Sequence, residues 1–464
     1  MLAIGVLVAL FWVGVVFLRG GLLGGSLLML LVGSCFGHPF FNLPTGLLPL
    51  TADRLLLVVL LAQYVVYRRW GWTDPKPLTV ADYVLGTFLL VLVVSALAHD
   101  FRANNVRPLS QLVIFYLMPA AMYWVARQTR FTEQAARWLF FSLAAFGLYL
   151  SVTAVAETHQ AWAFVFPRYI GSAEFKEFFG RGRGPFLNPV ANGIVQGLGL
   201  CAALMSWPRV NRAGKLFLLA LLPLFAEGVY STLTRSVWMG AGLGLFVILA
   251  LSTPRHWRVP LMGSMVLAAV VGTAVSWEHL VAFKRDKDLS AEETADSAEL
   301  RPILALVAWH MFLDSPLLGC GYGQYTQESP AYLADRSTDV PLEKVRPYVQ
   351  HNVFLGLLTE TGLLGMGLFI SLLVCWSRAA WQLWCSLEAP WWVRQMGLLL
   401  LALLGVYLPN GMFHDTSLLT MVNMLLFFLA GATTGLAAST STAAGYVGRR
   451  AIPSTGRGAS QPAT

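Results

Sequence analysis

Residues 349–376 read VQHNVFLGLLTETGLLGMGLFISLLVCW. From 352 onward the only ionisable side chain with a formal charge is Glu360. A helix rising 1.5 Å per residue needs about 20 such residues to cross a hydrocarbon core of ~30 Å. The stretch therefore reads as a membrane span, yet it opens on His351 and Asn352 and carries Glu360 inside. Polar side chains cost free energy in lipid unless partners or water meet them, so these three residues call for a reason.

Comparable windows recur along the chain, at 2–18, 21–37, 54–67, 82–98, 109–126, 138–156, 189–206, 215–233, 237–251, 259–277, 352–376, 395–413 and 416–437. The expected fold is an all-α polytopic membrane protein of about 12–13 transmembrane helices, with one large outward loop containing helix. The 464 residues are 56% hydrophobic and only 12% charged, where soluble domains carry about 25% charge. Strand-type alternation is absent, which argues against a β-barrel. The first apolar segment has no basic residues before it and is followed by more membrane, so it reads as a span and not as a cleavable leader.

Basic residues set the expected orientation. Arg68, Arg69 and Lys76 lie in one connection; Arg127, Arg130 and Arg137 lie two connections later. Arg209, Arg212 and Lys215, then Arg255 and Arg258, then Arg378 and Arg394, then Arg449, Arg450 and Arg457 continue the alternation. These loops are expected in the cytoplasm, with 157–188 and 278–351 outside, in a multi-pass protein of the plasma (inner) membrane. The net charge of +8 is mostly this bias and does not suggest nucleic-acid binding. The cysteines at 35, 201, 320, 375 and 385 form no paired framework, so no structural disulfide is expected.

The organisation follows as 1–180, N-terminal transmembrane helices; 181–376, a region holding the outer loop 278–351; 377–437, C-terminal transmembrane helices; and 438–464, a disordered cytoplasmic tail. Within the loop, Ser290 and Glu293 have capping-box spacing for a helix over about 291–313 that stops at Asp314–Ser315–Pro316, with Pro302 kinking or restarting it. Glycines 319, 321 and 323 keep the following chain loop-like.

Four segments fall on the outer side: RGRGPFLNP (181–189), STLTRSVW (231–238), LRPILALVAWHMFLDSPLLGCGYGQY (300–325) and HNVFLGLLTETGLLG (351–365). In order and spacing, over roughly 181–376, they resemble the O-antigen ligase and polysaccharide polymerase superfamily of integral membrane glycosyltransferases. The resemblance implies transfer of a glycan from an undecaprenyl-diphosphate carrier to a glycolipid, glycan or protein acceptor outside the plasma membrane. Arg181, Gly184, Phe186, Asn188 and Pro189 match the family's Arg-x-x-Gly-x-Phe-x-Asn-Pro stretch, while Val190 stands where a second Asn is common.

Arg181, Arg183, Arg235 and Arg301 are candidates for a pyrophosphate clamp, because a guanidinium offers a planar fork of donors matched to phosphate oxygens. Interface anchoring is the alternative for each. His351 is the candidate general base for an acceptor hydroxyl, since a helix N-terminus disfavours imidazolium; an N-cap or interface histidine is its alternative. Asn352 is expected to orient the acceptor, Glu360 to be a buried structural acceptor for a neighbouring span, Asp314 a turn residue and His310 packing. His414 and Asp415 are two further outward polar residues. No metal or cofactor is expected, because no His-x-x-x-His or Asp-rich pair occurs and arginines can neutralise phosphate. The rival reading is a secondary transporter or flippase for a lipid-linked glycan, which calls for polar residues along a central path.

Overall fold

The computed structural model describes residues 2–45, 48–99, 108–172, 174–275, 291–334, 340–346 and 350–450; side chains are not described for 2–13, 291–299 and 441–450. It is all-α apart from one two-stranded antiparallel ladder, Asn42–Leu43 with Leu50–Thr51. The helices are α1 (Leu2–Cys35), α2 (Ala52–Arg69), α3 (Val80–Ala98), α4 (Pro108–Arg127), α5 (Glu133–Thr158), α6 (Pro189–Met205) and α7 (Arg212–Ser231). After them come α8 (Arg235–Ser252), α9 (Arg255–Val275), α10 (Ala291–Asp314), α11 (Tyr325–Leu333), α12 (Val353–Cys385), α13 (Trp391–Phe413) and α14 (Thr420–Arg450).

Among the described residues, 11 helices are long and apolar enough to cross a membrane. Two expected spans fall outside that set: 2–18, of which 2–13 lie outside the residues whose side chains are described, and 54–67, for a local reason. The segment 2–18 is continuous with 21–37 in α1, but the chain folds back at Gly21, whose φ is +61°. A β-carbon on Gly24 would sit 3.1 Å from the Val16 carbonyl oxygen, whereas eight residues of straight helix rise about 12 Å. The carbonyl of Phe17, left open at this reversal, accepts from the Gln63 amide and the Tyr67 hydroxyl of α2. Helix α2 in turn carries Asp53, Arg54, Arg68 and Arg69 at its two ends, so only its middle is apolar.

The core lies along α13 and α14, where Leu398, Leu399, Leu400, Leu426, Phe428 and Leu429 are fully buried. Helix α14 lies tightly on α4, because Gly431 and Gly435 meet the Tyr123 and Arg127 carbonyl oxygens with no side chain between. It continues to Arg450, past the expected end at 437, through residues rich in Ala and free of Pro, which is compatible with helix. The structure draws 438–450 as a continuation of this helix, where a tail was expected; 451–464 lie outside the described residues.

Contacts sort the connections to two ends of the bundle. At one end Arg68 donates to Gln128, Arg130 to the Gly71 carbonyl, and Arg209 lies over the Trp391 ring. Arg127 there is no free loop cation: it is buried and grips Asp82 with a two-pronged pair at 2.5 and 2.6 Å. At the other end the Gly182 amide reaches Ser231, the Tyr322 amide reaches Ser95, and Arg301 lies over Phe413. The arginine-rich loops and the four singled-out segments therefore occupy opposite ends.

Candidate functional site

Helix α10 runs unbroken through Pro302 and ends at Asp314, whose carboxylate accepts the Tyr332 hydroxyl at 2.7 Å. The Ser290–Glu293 cap lies outside the residues whose side chains are described. Ile303, Leu304, Val307 and Met311 form a small core with Tyr325, Leu333, Leu342 and Val345, so the loop packs partly on itself. It also packs against α12.

Helix α12 is broken at Gly362, with φ +62° and ψ −162°. The Phe354 and Phe369 rings lie 6.1 Å apart although fifteen residues separate them, about 22 Å on a straight helix. The nine residues after Asn352 therefore fold back along the rest of the span. The break leaves backbone groups without helical partners, and the loop after α10 supplies them. The Cys320 amide donates to the Thr359 carbonyl at 2.9 Å and Gly321 to Glu360 at 3.0 Å. In return Leu363 donates to Pro316 at 2.8 Å and Leu364 to Leu317 at 3.2 Å. Gly319 and Gly362 allow this contact: a β-carbon on either would fall 2.4 Å from backbone carbon of the opposite segment. The Glu360 carboxylate accepts the Tyr325 amide at 3.4 Å, so its partner is this loop and not a neighbouring span.

The four segments meet through a chain of contacts. Arg181, 4% exposed, donates to the Thr232 carbonyl at 3.2 Å and the Thr234 hydroxyl at 2.6 Å, fixing the turn that presents Arg235. Arg235 is the first residue of α8 and half-buried. Its charge is near enough to Arg301 that, after burial, it is the second cause lowering the Arg301 guanidinium below its ordinary range. Arg301 lies 5.6 Å over the Phe413 ring. The carbonyl of the preceding Met412 accepts the Asn352 amide at 2.9 Å. Asn352 also caps α12, accepting from Phe354 and Leu355 amides at 2.8 and 3.1 Å. His351, immediately before the cap, is exposed.

Arg183 faces elsewhere. It is 1% exposed and donates to the carbonyls of Ile170, Phe175 and Glu177 at 2.5–2.7 Å, with the Glu157 carboxylate at 3.8 Å. Burial lowers its guanidinium, with Glu157 opposing. Val190, which the resemblance had singled out, is buried in the main core. Asp415, past the end of α13, accepts from the Ser417 amide at 3.1 Å and hydroxyl at 2.5 Å; burial raises its carboxyl. Among the described residues, no three His, Cys, Asp or Glu side chains are grouped to hold a metal ion.

Sequence reasoning had no role for Glu157, Phe413 or Met412. Glu157 left a signal as a carboxylate at the end of an apolar span; Phe413 and Met412 left none, because one acts by its ring face and the other by its backbone.

Residues 217–370 match the family model described as O-antigen ligase. This match supports the resemblance to the O-antigen ligase superfamily. The match spans about a third of the chain and takes in Arg235, Arg301, His351 and Asn352, while Arg181 and Arg183 precede it. No curated protein matches the chain significantly. At family level, O-antigen ligases are glycosyl-transfer enzymes working in a membrane on a lipid-linked glycan and an acceptor.

Proposed function

We propose that this chain transfers a glycan from an undecaprenyl-diphosphate carrier to an acceptor at the outer face of the plasma membrane, as an inverting, metal-independent ligase or polymerase. The observation that carries the reading is the gathering of separate segments at one end of the bundle: Arg181 fixes the turn that presents Arg235, Arg301 lies over Phe413, and the carbonyl of the adjoining Met412 accepts the Asn352 amide. Two cations held together suit the two negative phosphates of a leaving diphosphate. Arg181 holds the Arg235 turn, and Arg183 secures the 170–184 loop beneath it.

His351 takes the proton of the acceptor hydroxyl as that oxygen attacks the anomeric carbon from the face opposite the diphosphate. The C–O bond to phosphate breaks, the electron pair leaves with the diphosphate, and the arginines meet its charge, so no general acid is needed. Asn352 orients the acceptor from the helix end it caps. Clustering of these residues at one end of the bundle favours this chemistry over a transporter, which needs a polar path near the midplane.

The test is transfer by purified protein reconstituted with an undecaprenyl-diphosphate-linked glycan and candidate acceptors, with and without excess chelator. His351→Ala should leave donor binding intact and lower turnover at least ~100-fold, because only proton removal in the transition state is lost. Near-normal turnover by the folded, inserted variant would show that the histidine serves only as a helix-end residue. Chelator should have no effect; activity restored by one particular divalent ion would remove the metal-independent mechanism.

A further inference from the structure

At the arginine-rich end, away from the candidate site, a groove of about 660 Å³ opens between the second half of α1 and the start of α5. Its long walls are apolar, with Leu27 and Leu31 on α1 facing Ala135 and Trp138 on α5. Its end is cationic: Arg19, beside the Gly21 reversal, and Arg130, just before α5, both line it, and among the described residues no Asp or Glu does. The nearest acid of α5's first turn, Glu133, is turned to Arg137 at 3.4 Å. Arg130 spends one N–H on the Gly71 carbonyl at 2.9 Å, and its fork has further donors.

The dimensions choose the occupant. Along α5 the groove extends from Thr132 to Ser142, a rise of about 15 Å, which is half of a ~30 Å hydrocarbon core. Trp72, 52% exposed, lines the groove together with Arg19 and Arg130, and its residue type is favoured at a membrane–water interface. The groove is thus one leaflet long, greasy along its length and positive at its headgroup end.

We propose that this groove holds one anionic glycerophospholipid of that leaflet, its phosphate between Arg19 and Arg130 and an acyl chain along Leu27 and Leu31. A zwitterionic lipid would leave part of the positive charge unanswered. An extended protein segment would have to satisfy its own backbone groups in an apolar slot.

Native mass spectrometry of the full chain in detergent, titrated with phosphatidylglycerol or phosphatidylcholine of identical acyl chains, tests this. One phosphatidylglycerol should stay bound under conditions that strip phosphatidylcholine. Arg19→Ala with Arg130→Ala should weaken it about thirty-fold, from roughly five-fold per cation near anionic lipid. Ala135→Trp keeps both arginines but fills the slot, so it should abolish the bound lipid and carries the test if the double variant does not fold. Equal retention of the two lipids, unchanged binding in a folded variant, or a second chain covering the groove would each overturn the proposal.

Discussion

Gly319→Ala should undo the join between the 316–321 loop and the broken helix without unfolding the bundle. Gly319 has φ +70°, and its new β-carbon would fall 2.4 Å from the Glu360 carbonyl carbon and 2.5 Å from the Thr361 nitrogen. Those are backbone atoms and cannot swing aside. A left-handed backbone costs an alanine about 1–2 kcal/mol. Lifting the loop also forfeits the four backbone bonds of Cys320, Gly321, Leu363 and Leu364, about 1 kcal/mol each. Lifting relieves both strain and clash at the cost of those bonds, about 4 kcal/mol in all; a 2.4 Å approach of backbone to backbone that nothing else can relieve outweighs them, so the joined state becomes the minor one. Hydrogen exchange read by mass spectrometry should show peptides covering 316–321 and 359–364 losing at least ~1000-fold protection, with transfer activity falling alongside. Gly367→Ala is the matched control, since its β-carbon would meet nothing within 4 Å and helical Ala is favoured over Gly. Wild-type protection in folded Gly319→Ala would refute the argument that these backbones bear on each other.

Arg235→Lys and Arg301→Lys keep charge but lose the fork, so donor affinity should fall about 10–100-fold in equilibrium binding, and unchanged affinity would dissolve the clamp. Asn352→Ala removes a cap worth about 1 kcal/mol and the bond to Met412; Asn352→Asp keeps the cap alone and should recover only part of the activity, whereas full recovery would make the Met412 bond irrelevant. Single cysteines in a Cys-free background should label from outside at 286–299 and only from inside at 209–215; the reverse would move the proposed site to the cytoplasm.

The spans were legible because a chain in lipid must satisfy every backbone group within its own helix, and that demand writes long apolar runs. The break at Gly362 was not. TGLLG at 361–365 reads as continuous helix, and the partner that closes the break, PLLGCG at 316–321, lies some forty residues earlier. Arg181 and Arg183 are two residues apart and looked equivalent, yet the carbonyls around them send one to the Arg235 turn and the other into the 170–177 loop. Arg235 and Arg301 were legible as residue types, while their nearness depends on how α10 docks, which no local pattern encodes.

Helix α9 has no buried side chain, and the helix it packs on is α8. Its 21 residues span about 31 Å, close to the thickness of the hydrocarbon it must match. Lipid is therefore the chief neighbour of the helix from which the loop bearing Arg301 sets out. A thicker or thinner bilayer alters the tilt of α9 more readily than that of the densely packed α13, and so moves one anchor of the loop against a fixed frame. A detergent micelle, whose apolar thickness adapts to the protein, relaxes that setting, so the tilt of α9 is expected to depend on the solubilising medium.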